Sequence, residues 1–240
     1  MTKSRADLLL VARGLVDSRA KARATIEAGG VTADGKPVTK PSEMLEETCD
    51  LLAIMPHPYV GRGALKLLHA LELWPVDVTG AVVLDVGAST GGFTEVCLER
   101  GAAKVYAVDV GRAQLHERLA SNPRVVSLEG VDARDLDTRL IPETPDLVVC
   151  DASFIGLAKV LPAALALARP GADLIALVKP QFEVGPGRVG KGGLVKDPAD
   201  RARAVAEVMA FLEASGWPVL AHDDSPIAGG AVSYTHLRAH

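Results

Sequence analysis

Apolar residues recur along this chain with two different periods, and the change from one to the other divides it. Near the start, Leu8, Val11, Ala12 and Leu15 fall at helical spacing in RADLLLVARG and the residue after it, with Gly14 placed to end the helix. A second helix is expected from Asp17 or Ser18, either of which can cap it, to the Gly29-Gly30 pair. VTADGKPVTKP then reads as a short hairpin around an Asp34-Gly35 turn. Pro56 and Pro58 mark a linker, and Gly63 to Leu73 predicts an amphipathic helix.

From Gly80 onward short apolar runs alternate with helical patterns. Strands are expected at Val82–Val86, Lys104–Asp109, Arg124–Leu128, Asp146–Asp151, Asp173–Lys179 and Trp217–His222. Helices are expected at about 91–100, 112–120, 157–168 and 198–215. Near-continuous apolar strands separated by helices predict an α/β fold, a mainly parallel sheet covered on both faces. The expected division is a small N-terminal α+β unit over 1–58, a linker and helix over 59–79, the α/β domain over 80–230, and a tail over 231–240.

Composition narrows the picture. Apolar residues make up 48% of the 240 positions and aromatics only 4%, which favours an aliphatic α/β core over an aromatic-rich β-sandwich. The net charge of −4 excludes a chain basic throughout, so any nucleic-acid surface must be local. Residues 1–25 supply one: six bases (Lys3, Arg5, Arg13, Arg19, Lys21, Arg23) against Asp7 and Asp17, a local +4, with the acidic run 43–50 expected on another face. Cys49, Cys97 and Cys150 lie far apart, which argues against a zinc site or a disulfide framework and fits a cytoplasmic setting. No apolar run is long enough to span a bilayer.

The candidate chemistry begins at VVLDVGASTGGFTEVCLERG, a strand, a glycine turn and a helix. Ser89 stands where a dinucleotide fingerprint needs its second glycine, and the P-loop lysine is missing, so phosphate cradling is poorly supported. A nucleoside ligand without phosphate fits better, and S-adenosylmethionine is the expected cofactor. Its candidate contacts are Asp85, Gly87, Ser89, Thr90, Gly91, Gly92 and Phe93 around the turn. Asp109, with Val110, ends the second strand, where a carboxylate can bond both ribose hydroxyls. Asp132 follows the third strand and is placed to accept from an adenine amino group, and Asp151 ends the fourth. DLIALVKPQFEVG ends its strand in Lys179 followed by Pro180, an unusual position for a charge unless it is paired.

Two resemblances sharpen these readings. SRAKARATIEAGGVTADGKPVTKP, with its flanking helices, resembles the S4-type RNA-binding module. GRGALKL, DVGASTGGFTE, VCDASFIGL and LVKPQFEVGPGRVGKGGLVKDP resemble the TlyA-type (hemolysin A-like) methyltransferases, whose catalytic domain is of the FtsJ type. What the resemblance implies is a Rossmann-like sheet and S-adenosylmethionine-dependent 2′-O-methylation of ribose in ribosomal RNA, on free RNA or ribosomal subunits. It also implies a catalytic lysine, aspartate, lysine and glutamate, the first three falling on Lys66, Asp151 and Lys179. A ribose hydroxyl must lose its proton as it attacks, which a neutral Lys179 could accept; burial and the cofactor's positive charge favour the neutral amine and Asp151 opposes it. Candidate RNA contacts are Arg5, Arg13, Ser18, Arg19, Lys21 and Arg23, then Arg62 in the linker and Arg188 and Lys191 in a glycine-rich loop expected to act as a mobile lid.

The chain departs from the family after SPI. A Gly-Asn-x-Glu strand is expected there to supply the fourth catalytic residue, whereas this chain reads AVSYTHLRAH, with no glutamate after Glu213. The last strand of the sheet is therefore expected to be missing or replaced, with β-prone AVSYTH a candidate to fill the gap. The alternative function is a non-catalytic RNA-binding protein that still holds S-adenosylmethionine. A membrane-lytic protein, which the older family name suggests, is disfavoured by the absence of a long basic amphipathic helix.

Overall fold

The computed structural model describes residues 2–16, 18–54, 58–190, 193–225 and 235–240 and divides the chain into two compact units, Met1–Pro58 and Tyr59–His240. In the first unit, strand β1 (Lys3–Arg5) leads into helix α1 (Ala6–Ala12), followed by α2 (Arg19–Glu27), β2 (Val31–Ala33), β3 (Lys36–Pro37), β4 (Met44–Glu46) and β5 (Leu51–Ala53). Ser18 caps α2 by accepting from the Lys21 amide at 3.3 Å, while Asp17 lies outside the described residues. The hairpin turn is the expected one: Asp34 and Gly35 both take positive φ, 50° and 74°.

Two expectations for this unit fail. The face of α1 that is buried carries Ala6, Asp7, Leu9 and Leu10, whereas Leu8 is 46% exposed and Ala12 and Leu15 also face solvent. Apolar count alone selected the wrong stripe because Asp7, a buried polar residue, belongs to the packed side. Nor does the acidic run lie away from the basic start. Strand β4 pairs antiparallel with β1, so Glu46 meets Lys3 at 3.4 Å, and Arg13 donates to the carbonyls of Glu47 and Cys49. Strand pairing thus neutralises part of the local charge.

The second unit begins with helix α3 (Gly63–Leu73), at the expected bounds. Its buried positions Ala64, Lys66, Leu67, Ala70 and Leu71 follow the helical period, which puts Lys66 on the packed face. The segment before it is held to the domain by Val60, whose amide donates to Glu95 Oε2 at 2.6 Å. Alternating elements follow: β6 (Val82–Val86), α4 (Gly92–Glu99), β7 (Lys104–Asp109), α5 (Glu117–Ala120), β8 (Val125–Glu129), β9 (Leu147–Cys150), α6 (Leu157–Val160), α7 (Pro162–Leu167), β10 (Asp173–Val178), α8 (Pro180–Glu183), α9 (Pro198–Ala214), β11 (Val219–Asp224) and β12 (Thr235–Ala239).

These strands form one seven-stranded sheet in the order β11-β12-β10-β9-β6-β7-β8. Strands β6 to β10 run parallel, and β12 is antiparallel to both neighbours. Side chains alternate between two cores. Val83, Val105, Val149 and Ile175 pack with α3 and α4, and Leu84, Tyr106, Val148 and Leu174 face α6, α7 and α9. The chain leaves β6 toward β7 and β8, then returns to β9 and β10 on the other side. Beyond the carboxyl ends of β6 and β9 this reversal opens a crevice, the usual ligand position in such sheets.

Two helices differ from the sequence reading. The helix expected at 112–120 is only Glu117–Ala120, because the Glu129 carboxylate accepts from the amides of Ala113, Gln114 and Leu115 and holds that stretch as a loop. The helix expected at 157–168 is split in two, with Pro162 at the first position of the second piece. The last strand is replaced, as expected: Thr235–Ala239 fills the place between β10 and β11 and gives β11 a partner.

Candidate active site

The glycine turn between β6 and α4 is shaped by close approach. A Cβ on Gly87 (φ 84°) would lie 2.8 Å from Ala152 Cα, so only glycine lets the end of β6 pass the segment after β9. A Cβ on Gly92 would lie 2.8 Å from the Ala64 amide nitrogen, so this glycine lets α3 pack onto α4 and bring Lys66 inward. Gly91 caps α4 with φ 98°.

Two hollows meet at this turn. The larger, about 570 Å³, is walled by Val108, Val131, Ile155 and Val160 among apolar residues and by Asp109, Asp132 and Gln114 among polar ones. The smaller, about 230 Å³, is lined by Gly61, Arg62, Lys66, Thr90, Gly92, Phe93 and Lys179. Gly87, Ser89, Asp151 and Ser153 border both. The volume and mixed lining of the larger hollow fall in the range of small-molecule sites.

Asp109 accepts from the Ser89 amide (2.8 Å) and the Gly111 amide (2.7 Å), one per carboxylate oxygen, which leaves a lone pair on each for a ligand hydroxyl. Asp132 is gripped by the Arg134 guanidinium, whose hydrogen bonds hold its carboxyl down to about 2. Both its oxygens, expected to accept from an adenine amino group, are engaged by Arg134. Asp85 is fully buried beneath the turn, accepts from Thr94 Oγ1 at 2.6 Å, and is pushed up to about 7 by that burial. Its carboxylate is not among the groups lining either hollow. Val110 stands 74% exposed at the rim of the larger hollow.

At the junction Asp151 lies between two buried lysines. Lys66 Nζ is 3.0 Å from Asp151 Oδ2, and Lys179 Nζ is 2.7 Å from Asp151 Oδ1. Lys179 also donates to the Asp151 carbonyl (3.0 Å) and to Ser153 Oγ (2.8 Å). The strand that carries Lys179 into the core stops because Pro180 begins α8. Burial lowers the pKa of Lys66 against the pull of Asp151, and the nearby charges of Lys179 and Arg62 push the same way as burial. Sequence reasoning had selected these three residues but missed Ser153, two positions after Asp151. It also missed Phe154, which is 91% exposed with φ 68° and packs against Phe182 at 5.3 Å between ring centroids.

The basic residues of the first unit form a separate hollow of about 570 Å³, lined by Arg5, Asp7, Arg19 and Arg23. Asp7 is held down to about 2, chiefly by its hydrogen bond to Arg5, with burial opposing and Arg19 adding. Arg23 pairs with Glu27, and Arg13 is engaged by main-chain carbonyls. Arg62 is exposed at the rim of the smaller hollow. Arg188 pairs with Asp200 at 2.7 Å, and Lys191 lies outside the described residues. Among the described residues no cluster suits a metal ion, and no helix is long and apolar enough to cross a membrane.

Comparison with known proteins agrees with this architecture. The FtsJ-like methyltransferase family matches residues 59–236, and the S4 domain matches residues 4–51. A Mycobacterium tuberculosis protein named 16S/23S rRNA (cytidine-2′-O)-methyltransferase TlyA is 48% identical over 97% of this chain and 88% of its own length. Hemolysin A of Brachyspira hyodysenteriae is 35% identical over 97% of this chain and 98% of its own. The solved structure of a hemolysin-named protein from Streptococcus thermophilus superposes with a TM-score of 0.76 at 36% identity, covering all of this chain and 89% of that one. The glycine turn, the parallel sheet and the N-terminal module thus have one common explanation: the chain belongs to the FtsJ-like methyltransferase family and carries an S4 domain at its N-terminus.

Proposed function

We propose that this chain methylates a ribose 2′-hydroxyl of ribosomal RNA with S-adenosylmethionine, and that Lys66, Asp151 and Lys179 carry the reaction. The observation that carries the reading is the carboxylate of Asp151 bridging two buried lysines where the two hollows meet. The larger hollow suits the nucleoside end of the cofactor. Its apolar wall receives a base, Asp109 retains acceptor capacity for ribose hydroxyls, and Gly87 clears the space beside Ala152 that a side chain would fill. Gly91, Gly92, Ser89, Thr90 and Phe93 shape or line the turn, and Asp85 supports it from below. When bound, S-adenosylmethionine supplies a methyl group activated by its sulfonium charge.

The residues of the smaller hollow act on the acceptor. The hydroxyl oxygen bonds to the methyl carbon and the carbon–sulfur bond breaks, so one proton must leave the hydroxyl. Lys179 Nζ donates to the Asp151 carbonyl and to Ser153 Oγ and is ion-paired with the Asp151 carboxylate, which holds its head group in place and suits it to orient the hydroxyl. Lys66, whose burial lowers its pKa, is better disposed to take the proton. Asp151 keeps both amines aligned, and holding the two reactants in register supplies much of the rate. The RNA itself is recognised by Arg5, Arg19 and Arg23 around the first unit's hollow, with Arg13, Ser18 and Lys21 as further contacts outside it and Arg62 beside the reacting site. Arg188 and Lys191 complete the phosphate contacts.

One observation supports a second reading, a protein that binds RNA and cofactor without catalysis. Strand β12 reads THLRA, and its first residue pairs with Val178 just before Lys179, so the strand beside the site brings no carboxylate. Turnover about tenfold below that of a chimera with a glutamate on this strand is expected. Incubation of the purified chain with S-adenosylmethionine and ribosomal subunits, followed by mass mapping of the RNA, separates the two. A ribose methyl supports methyl transfer, and cofactor binding by calorimetry with unmethylated RNA supports the alternative.

A further inference from the structure

We infer that Ser153 is a positioning residue for Lys179, holding its ammonium group in line with the acceptor hydroxyl. This rests on the reading of Lys179 as a member of the catalytic set. Lys179 Nζ donates to the main-chain carbonyl of Asp151 (3.0 Å) and is ion-paired with the carboxylate of the same residue (2.7 Å). Ser153 Oγ, 2.8 Å away, accepts a hydrogen bond from the same nitrogen and anchors it from a second residue. A side chain with four rotatable bonds loses its alignment easily, so this further anchor matters more for lysine than for a rigid fork.

The backbone is built to deliver this hydroxyl. Ser153 is followed by Phe154, a residue other than glycine with φ 68°, a conformation that costs on the order of 1 kcal/mol and persists where surroundings enforce it. The far end of the same segment is stitched to the helix that follows Lys179: the Leu157 amide donates to Glu183 Oε1 at 2.9 Å. The ends of β9 and β10 are therefore tied through Lys179, to Asp151 and Ser153, and again through Glu183. Ser153 itself is exposed and borders both hollows. A hydroxyl there also adds no charge, so it orients the ammonium without changing the balance among Lys66, Asp151 and Lys179. A carboxylate at the same place would.

The test uses the full chain with Ser153→Ala and Ser153→Thr, the latter keeping the hydroxyl. In protein labelled with ¹⁵N-lysine, the Lys179 ammonium signal is assigned by its disappearance in Lys179→Met. Hydrogen exchange of that signal should speed up about tenfold in Ser153→Ala and stay near the wild-type rate in Ser153→Thr. With ribosomal subunits as substrate, kcat should fall about tenfold in Ser153→Ala, with the RNA KM and cofactor Kd within about twofold, and Ser153→Thr should recover most of the loss. Unchanged exchange in Ser153→Ala overturns the proposal. So does a loss that Ser153→Thr fails to restore, or one matched by a fall in melting temperature or cofactor affinity. If the wild type leaves no ribose methyl, the functional reading fails separately and the exchange measurement still decides the role of Ser153.

Discussion

The two units each place one carboxylate between two basic side chains, and the two settings differ in exposure and in the kind of cation. In the first unit Asp7 sits between Arg5 and Arg19, whose side chains are 39% and 59% exposed. In the second, Asp151 sits between Lys66 and Lys179, which are 11% and 6% exposed. Guanidinium groups keep their charge at any working pH and spread their donors into solvent, where phosphates can reach them. Buried amines can change protonation and present fixed donors inside a hollow. On the proposed reading, the same charge count makes an anion-facing surface in one place and a proton-handling site in the other.

The largest expected effect comes from removing the shared charge of the second cluster. Asp151→Asn removes the carboxylate that both buried lysines face, and should cost about 3 kcal/mol of stability and about a thousandfold in turnover, read by denaturant melts and methyl transfer. Exchanging the cations sharpens the contrast. Lys66→Arg should lower turnover about a hundredfold, because arginine cannot accept the proton, while cofactor affinity stays within about threefold. The mirror change, Arg19→Lys, should alter RNA affinity by less than about threefold. A Lys66→Arg enzyme of full activity would break the distinction.

Acid titration tests the carboxylates by sign. Asp7 ionises near 2 in the folded chain against an ordinary value of 3.8, so its stabilisation is fully present above pH 3.8 and is lost as pH falls through about 2. Asp7→Asn should remove about 1–2 kcal/mol at neutral pH, reduced by the exposure of its arginine partners, and flatten the stability profile between those values. Asp85 runs the other way. Raised from 3.8 to about 7, it holds its proton in the folded state, so stability declines as pH rises from about 4 to about 7 and levels above. Asp85→Asn should erase that decline. Arg19→Ala should weaken RNA affinity about fivefold and make its salt dependence shallower by about one counterion.

Much of the second unit was legible because strand runs bounded by glycine or proline have few alternatives. Val82–Val86 and Lys104–Asp109 were located to the residue, and Pro180 marked where β10 stops. The three charged residues of the site were legible through motifs, since each ends a strand or lies on a packed helix face. What stayed hidden depends on long-range partners. Glu129 melts the expected helix at 112–116 by accepting three amides, and no local pattern announces that. Arg134 captures Asp132, and Ser153 reaches Lys179 across two strands, both decided by turns whose angles the sequence does not spell out. Asp7 misled the reading of α1 because its burial is stabilised by arginines on either side, one of them twelve residues away.

The most direct test of the central claim is mass mapping of ribose methylation. Ribosomal subunits lacking the modification are incubated with S-adenosylmethionine and either the wild-type chain or Lys179→Met, both first shown by calorimetry to bind the cofactor. The account predicts a 2′-O-methyl group at a defined nucleotide with the wild type and its loss with Lys179→Met. Methylation on a base, or an equal yield of ribose methyl from Lys179→Met, would contradict it.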